Sequence, residues 1–320
     1  MDLKKLVRYS KSPNPLNHNI IEILKIKAQI IHIAREWFNS QNYVEIQTPI
    51  LIPAKTEWPN YLSTKIFNKK AHLAQGFPPY DQALVEKLKK IYAFQPTFRP
   101  EKIQSKNHLI EYWRIEVSQQ TNFKEIIKVQ ENLIEFICQN LSKIQNIQPN
   151  LKQTISRLKN IKAPFLKIKY EKAIQILQKQ GEQIVWGQIL DKNAEEKLSS
   201  MFNQPFFITE LPLNSQTYFY ESIQEKPQLT KSSDLIAPEG FGELSSSAQR
   251  ITNKKELAKK MREIQVESKD QQWYLNLLRE NNLPNSGFSL GFERLTQWIC
   301  KIKEIAQIVP FPRTNKSIYP

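Results

Sequence analysis

The stretch YAFQPTFRPEKIQSKNHLIEYWRIE, residues 92–116, decides how the chain is read. Its first half alternates, with Phe94, Pro96 and Phe98 pointing one way along an extended run and Thr97, Arg99 and Glu101 the other. After a polar loop, a second extended run sets His108, Tyr112, Arg114 and Glu116 on a common side. The pattern predicts a hairpin whose polar, aromatic-topped face carries an arginine and a glutamate two residues apart.

N-terminal to the hairpin, Ile23, Ile26, Ile30, Ile33 and Trp37 form a helical stripe over residues 20–39 that runs into the extended YVEIQTPILI (43–52). A strand and then a helix over 82–91 are expected before the hairpin, and a helix after it puts Ile126, Val129, Leu133, Ile137 and Leu141 on one face. Residues 142–205 carry scattered charge and helical pieces such as 170–179 without an evident chemical motif, and read as an inserted subdomain. Extended runs return at PFFITELP (205–212) and QTYFYESI (216–223). A Ser-rich turn then leads to a helix over 253–264, and SGFSLGF (286–292) is a strand entering the helix ERLTQWICKI. Trp37, Trp113 and Trp298 are expected in the core. The sum is an α+β fold, a mostly antiparallel sheet flanked by helices.

With 320 residues, 40% of them hydrophobic, the chain can bury one large core or two modest ones. A net charge of +15, from 46 basic and 31 acidic residues, favours polyanionic partners, although lysine excess also serves as solvated surface. Cys138 and Cys300 lie in helical apolar patterns, which predicts burial and offers no disulfide framework. His18, His32, His72 and His108 include no pair at metal-ligand spacing. No apolar run is long enough to span a membrane and the N-terminus lacks a signal-peptide core, so no membrane association and a cytoplasmic location are expected.

Three segments resemble, in order, the signature motifs of class II aminoacyl-tRNA synthetases of the aspartyl and asparaginyl subgroup. They are WFNSQNYVEIQTPIL (37–51), FRPEKIQSKNHLIEYWRIE (98–116) and GFSLGFERL (287–295). DLIAPEGFGELSSSAQR (234–250) and FPRTNKSIYP (311–320) look like the asparaginyl branch and its asparagine synthetase-related paralogues. The match runs from about residue 20, is weakest at 142–205, and implies a catalytic domain made of 20–141 and 206–320 behind an extension of 1–19. An anticodon-binding domain ahead of the first motif is therefore expected to be missing.

The resemblance implies chemistry in which an amino-acid carboxylate attacks the ATP α-phosphate, so the catalyst chiefly positions and neutralises a polyphosphate. By motif position, Arg99 would bridge the α-phosphate and the substrate carboxylate, and Glu101 would accept from the adenine amino group. His108 would meet the outer phosphates, Tyr112 would stack on adenine, and Arg294, after Gly291, would cover its other face and reach the γ-phosphate. Asp234 and Glu243 correspond to carboxylates that hold Mg2+ on the triphosphate. Pro49 closes a motif that forms a dimer interface in the family, implying a homodimer.

Substrate choice departs from the family pattern at QGFPPYDQ (75–82). Gly76 replaces serine, Pro78 a substrate-contacting glutamine, and Asp81 stands where aspartate enzymes have lysine. A carboxylate there would repel an aspartate side chain. Arg250 matches the arginine that reads the side-chain amide or carboxylate; Gln75, Glu57 and Glu210 complete the expected amino-acid site, the two glutamates for the ammonium. The implied function is activation of asparagine or a close analogue with ATP and transfer to tRNA or another acceptor. An ammonia-dependent, asparagine synthetase-like ligase and a non-catalytic nucleotide- or RNA-binding paralogue are the alternatives.

Overall fold

The computed structural model describes residues 18–53, 60–100, 108–263, 272–278 and 283–318. Helix α1 (His18–Ser40) leads to β1 (Val44–Glu45) and β2 (Leu51–Ile52), then to a hairpin of β3 (Ser63–Ile66) and β4 (Lys69–Leu73). Helix α2 (Tyr80–Leu88) precedes the long pair β5 (Lys90–Phe98) and β6 (Glu111–Gln119), which is followed by α3 (Phe123–Leu141) and α4 (Pro149–Ser156). Next come β7 (Leu166–Lys169), α5 (Tyr170–Lys179), α6 (Lys192–Ser199), β8 (Phe206–Thr209), β9 (Ser222–Ile223), β10 (Lys226–Thr230), β11 (Ser232–Ala237) and β12 (Gly242–Gln249). The chain continues through α7 (Lys254–Glu263), α8 (Gln272–Leu277), β13 (Ser286–Gly291) and α9 (Phe292–Cys300).

Eight strands form one sheet in the order β1-β5-β6-β13-β12-β11-β8-β7. Only the two edge pairs, β1 with β5 and β7 with β8, are parallel. One face is covered by α1, α3 and α9. The predicted stripe on α1 is buried in full, as are Ile126, Leu133, Ile137 and Leu141 of α3, each such side chain contributing about 1.5–3 kcal/mol through removal from water. Asn122 caps α3 by accepting from the Glu125 N–H at 3.1 Å. Cys138 and Cys300 are buried and unbonded, as predicted, and burial pushes the Cys300 thiol up to about 12.

The structure corrects several local expectations. The helix placed at 82–91 starts at Tyr80 and stops at Leu88, because Lys89 turns left-handed (φ 69°) and Lys90 already pairs in β5. QTYFYESI is a bend whose Tyr218, Phe219 and Tyr220 bury their rings, and only Ser222–Ile223 is strand. The Ser-rich turn is instead strand β12, paired on both sides with β11 and β13, where sheet context overrides the weak β-propensity of serine. Trp113 is 44% exposed, whereas Trp37 and Trp298 are buried; Trp113 alternates with Arg114 and so faces away from the site, opposite Pro96. Residues 142–205 add β7 to the main sheet, and Leu151, Ile155 and Leu158 to its core. This segment thus shares the main sheet and core with the rest of the described chain.

Candidate active site

Sheet register lines up a polar row across the face opposite α1 and α3. Asp234 pairs with Ser246, Ser246 with Ser289, Ser289 with Glu116, and Glu116 with Ala93. Directly opposed residues share a face, so one row carries two carboxylates linked by hydroxyls. Ser289 donates to Glu116 Oε1 at 3.0 Å, and the Ser246 hydroxyl lies 2.7 Å from Asp234 Oδ1 and 3.1 Å from Glu243 Oε1.

Glu243 reaches that row only through an irregularity. Residues three apart on a regular strand face opposite ways. Between Leu235 and Ile236 the register shifts: Leu235 pairs with Ser245 but Ile236 with Glu243, leaving Leu244 as an extra residue that drops into the core. This bulge turns Glu243 and Ser246 to the same side.

The cations come from separate elements. Arg99 directly follows β5, with its N–H bonded to the Ile110 carbonyl at 2.9 Å. Arg294, in the first turn of α9, gives Nη1 to Glu243 Oε2 at 3.1 Å and sets Nη2 3.0 Å from His108 Nε2. Since a guanidinium only donates, His108 accepts as a neutral imidazole. Burial and the charges of Arg294 and Arg99 hold it down at about 4. Burial and the neighbouring Glu243 push Asp234 well above the usual carboxylate range, while Arg294 keeps Glu243 low. Arg99, His108, Asp234, Glu243, Arg250 and Arg294 all line one cavity of about 320 Å³.

A smaller adjoining cavity, of about 80 Å³, is bounded by Tyr112, Leu109, Gly291 and Arg294. Arg114 donates to the Tyr112 hydroxyl at 2.9 Å and its guanidinium lies 5.3 Å from that ring. A Cβ on Gly291 would touch Arg294 at 3.5 Å, ordinary contact, so the glycine matters for the space it leaves rather than for backbone strain.

The expected amino-acid residues are split. Arg250 lines the main cavity, with its guanidinium 5.0 Å from the Phe219 ring and 5.2 Å from that of Tyr220. Asp81 is fully buried outside the cavity lining, where burial raises its pKa and the charge of Arg250 opposes the rise. Gln75 is buried as well; its amide donates to the Asn60 carbonyl, and its own carbonyl accepts from Arg114 at 3.0 Å. Glu210 points elsewhere and pairs with Lys169 at 2.8 Å, which removes it from the ammonium role expected of it. Glu57 and Glu101 lie outside the described residues.

Some site residues were missed by sequence reasoning. Glu195, from α6 in the segment without a motif, lines the cavity and accepts from the Glu243 N–H at 3.3 Å; burial and Glu243 push it up to about 8. Lys192 joins it on the cavity wall. Only the capping pattern of Asp191, which accepts from the Ala194 N–H at 2.9 Å, marks this helix in the sequence, and a cap says nothing of chemistry.

Comparison with known proteins gives the family. Residues 7–315 match the family of class II tRNA synthetases (D, K and N), to which the chain belongs. It is 33% identical over 304 residues to the asparagine–tRNA ligase of Thermococcus gammatolerans, covering 94% of this chain and 71% of that protein. The corresponding ligase of Desulforamulus reducens is 34% identical over 301 residues, with 93% and 70% covered. The asparaginyl-tRNA synthetase of Pyrococcus horikoshii complexed with asparaginyl-adenylate superposes with a TM-score of 0.90 at 33% identity, covering 94% of this chain and 70% of that one.

Proposed function

We propose that this chain is an asparaginyl-tRNA synthetase-like ligase, which activates asparagine or a close analogue with ATP to an aminoacyl adenylate and passes it to tRNA. The observation that carries this reading is the convergence of Arg99, Arg294, Asp234 and Glu243 on one cavity, in a chain that superposes on a synthetase complexed with asparaginyl-adenylate. Arg99 and Arg294 supply fixed positive charge where phosphate charge develops, and pre-placed donors of this kind are worth about 10²–10³ each in rate. The Glu243 carboxylate and neutral His108 hold the Arg294 fork so that it need not reorganise during the reaction.

Asp234 and Glu243 fit Mg2+: both are hard oxygen donors, and their mutual repulsion, visible in the raised Asp234, is relieved by a cation. An ion held by these two carboxylates would be completed by water and phosphate oxygens. When bound, Mg2+ would neutralise charge on the triphosphate. Arg250, on the cavity wall, would read the substrate side chain. Asp81 lies outside the cavity lining but interacts with Arg250, and a negative charge there would favour a neutral amide over the carboxylate of aspartate. Exposed Val44, Ile50 and Leu51 in the first motif support a homodimer, which sedimentation would reveal. No described helix is long and apolar enough to cross a membrane.

Amino-acid-dependent exchange of pyrophosphate into ATP, run with every proteinogenic amino acid, tests the proposal. Exchange should be strongest with asparagine, and its absence with all of them would overturn the reading.

A further inference from the structure

The hairpin of β3 and β4 carries an unexplained combination of groups at its tip. Phe67 is 96% exposed, the most exposed large hydrophobic side chain described. It and Asn68 occupy the left-handed region, φ 46° and 64°, as the central residues of a two-residue turn, positions usually given to Asn and Gly because a bulky side chain is disfavoured there. Lys65 and Lys70 are directly paired across the strands, and Ile66 is paired with Lys69. Like charges directly opposed destabilise a hairpin unless an anion lies between them. Residues 60–73 contain no Asp or Glu, and among the described residues Lys65, Lys69 and Lys70 have no carboxylate partner. β3 is exposed at all four positions and forms the outer edge of its three-stranded sheet.

We propose that this tip binds a single-stranded segment of RNA, with a base stacked on Phe67 and flanking phosphates held by Lys65, Lys69 and Lys70. An exposed ring among cations, with Ile66 as its one exposed apolar neighbour on the hairpin, is a stacking platform with an electrostatic grip rather than a broad protein-binding patch. Phosphates resolve the Lys65–Lys70 repulsion, and the net charge of +15 draws a polyanion toward the surface. The geometry also serves the site. From Phe67, six residues of extended chain, roughly 20 Å, lead to Leu73, two residues before the Gln75 carbonyl that fixes Arg114 beside the cavity. The hairpin thus offers a grip on an RNA strand that extends beyond the site, and the inference rests on the reading of the chain as an enzyme that charges an RNA.

The test is fluorescence anisotropy of a labelled, unstructured RNA of about twelve nucleotides, titrated at several salt concentrations with the full chain and its variants. Phe67→Ala should weaken binding about tenfold and Phe67→Trp should restore it. Lys65→Gln/Lys69→Gln/Lys70→Gln should flatten the log–log salt slope by about 2, from three lost phosphate contacts. Pyrophosphate exchange should stay at the level of the unaltered chain in all of these variants, since the tip lies outside the site, so loss of exchange in the unaltered chain would sink the enzymatic reading without touching the RNA measurement. Unchanged RNA affinity and salt slope in the variants would overturn the inference. So would a shift of Phe67→Ala toward monomer in sedimentation with RNA binding intact, which would make the tip a contact between copies of this chain.

Discussion

Arg294 makes contacts that a lysine could not reproduce: one nitrogen meets Glu243 and another faces His108, a planar fork with two fixed directions. Arg294→Lys should therefore lower asparagine-dependent pyrophosphate exchange by about 10²–10³, with little change in the urea midpoint. Arg99→Ala should lower it at least about a hundredfold for the same electrostatic reason. His108 gives a pH signature. Its folded value of about 4 lies below that of an ordinary histidine, so between the two the unfolded chain binds a proton that the folded one refuses. Stability without nucleotide should thus fall as pH drops through that window, and His108→Gln should flatten this part of the curve in urea titrations. The residues that the family resemblance picked out, Arg99, His108, Tyr112, Asp234, Glu243 and Arg294, do meet around adjoining cavities, because side chains tied to short strand and helix starts inherit their positions from the sheet. Glu210 was misplaced for a different reason. Its backbone sits at φ 59°, past the end of β8, and no alternation rule says where such a side chain points.

At the level of elements, the sheet's closeness sets its tolerances. A Cβ on Gly287 of β13 would collide with the Val117 carbonyl of the adjacent strand. Backbone cannot yield as a flexible side-chain tip can, so Gly287→Ala should cost about 1–3 kcal/mol or more in chemical denaturation. The α1 to β1 junction is tied by Arg35, whose Nε and Nη2 meet both Glu45 oxygens at 3.0 and 2.7 Å, while the Tyr92 hydroxyl donates to Glu45 at 2.8 Å. These bonds hold Glu45 below the usual carboxylate range. Its contribution is present above the ordinary value and is lost as pH falls through the lower folded one; being partly exposed, it is worth only about 1 kcal/mol. Glu45→Gln should remove that much at neutral pH and almost nothing in strong acid. The long strands and α3 were legible from periodicity. The bulge in β12 was not, since a run of serines carries no alternation and its turn chemistry points away from a strand, and only the pairing of β11 reveals the extra residue.

For the whole molecule, charge balance governs what binding can do. In the proposed function, the like charges of the carboxylate row would be relieved when a nucleotide and a cation enter together. ATP with Mg2+ should therefore raise the thermal midpoint through mass action, by about 2.7 kcal/mol of stability at a hundredfold excess over Kd. Mg2+ alone should do little, for want of phosphate oxygens to complete its shell. Calorimetry with each ligand separately distinguishes the cases. The segment 142–205 shows why a motif-by-motif reading stops short of the assembled site. Glu195 arrives from a helix with no signature and buttresses the Gly242–Glu243 backbone, where Gly242 (φ 76°) leaves its carboxylate space 3.1 Å from where a Cβ would stand. A chimera grafting only the three signature segments onto another scaffold would thus inherit Arg99 and Arg294 but neither Asp234, Glu243 nor the Glu195 brace, and transplanting α6 together with β11 and β12 is the smallest graft that carries these three carboxylates.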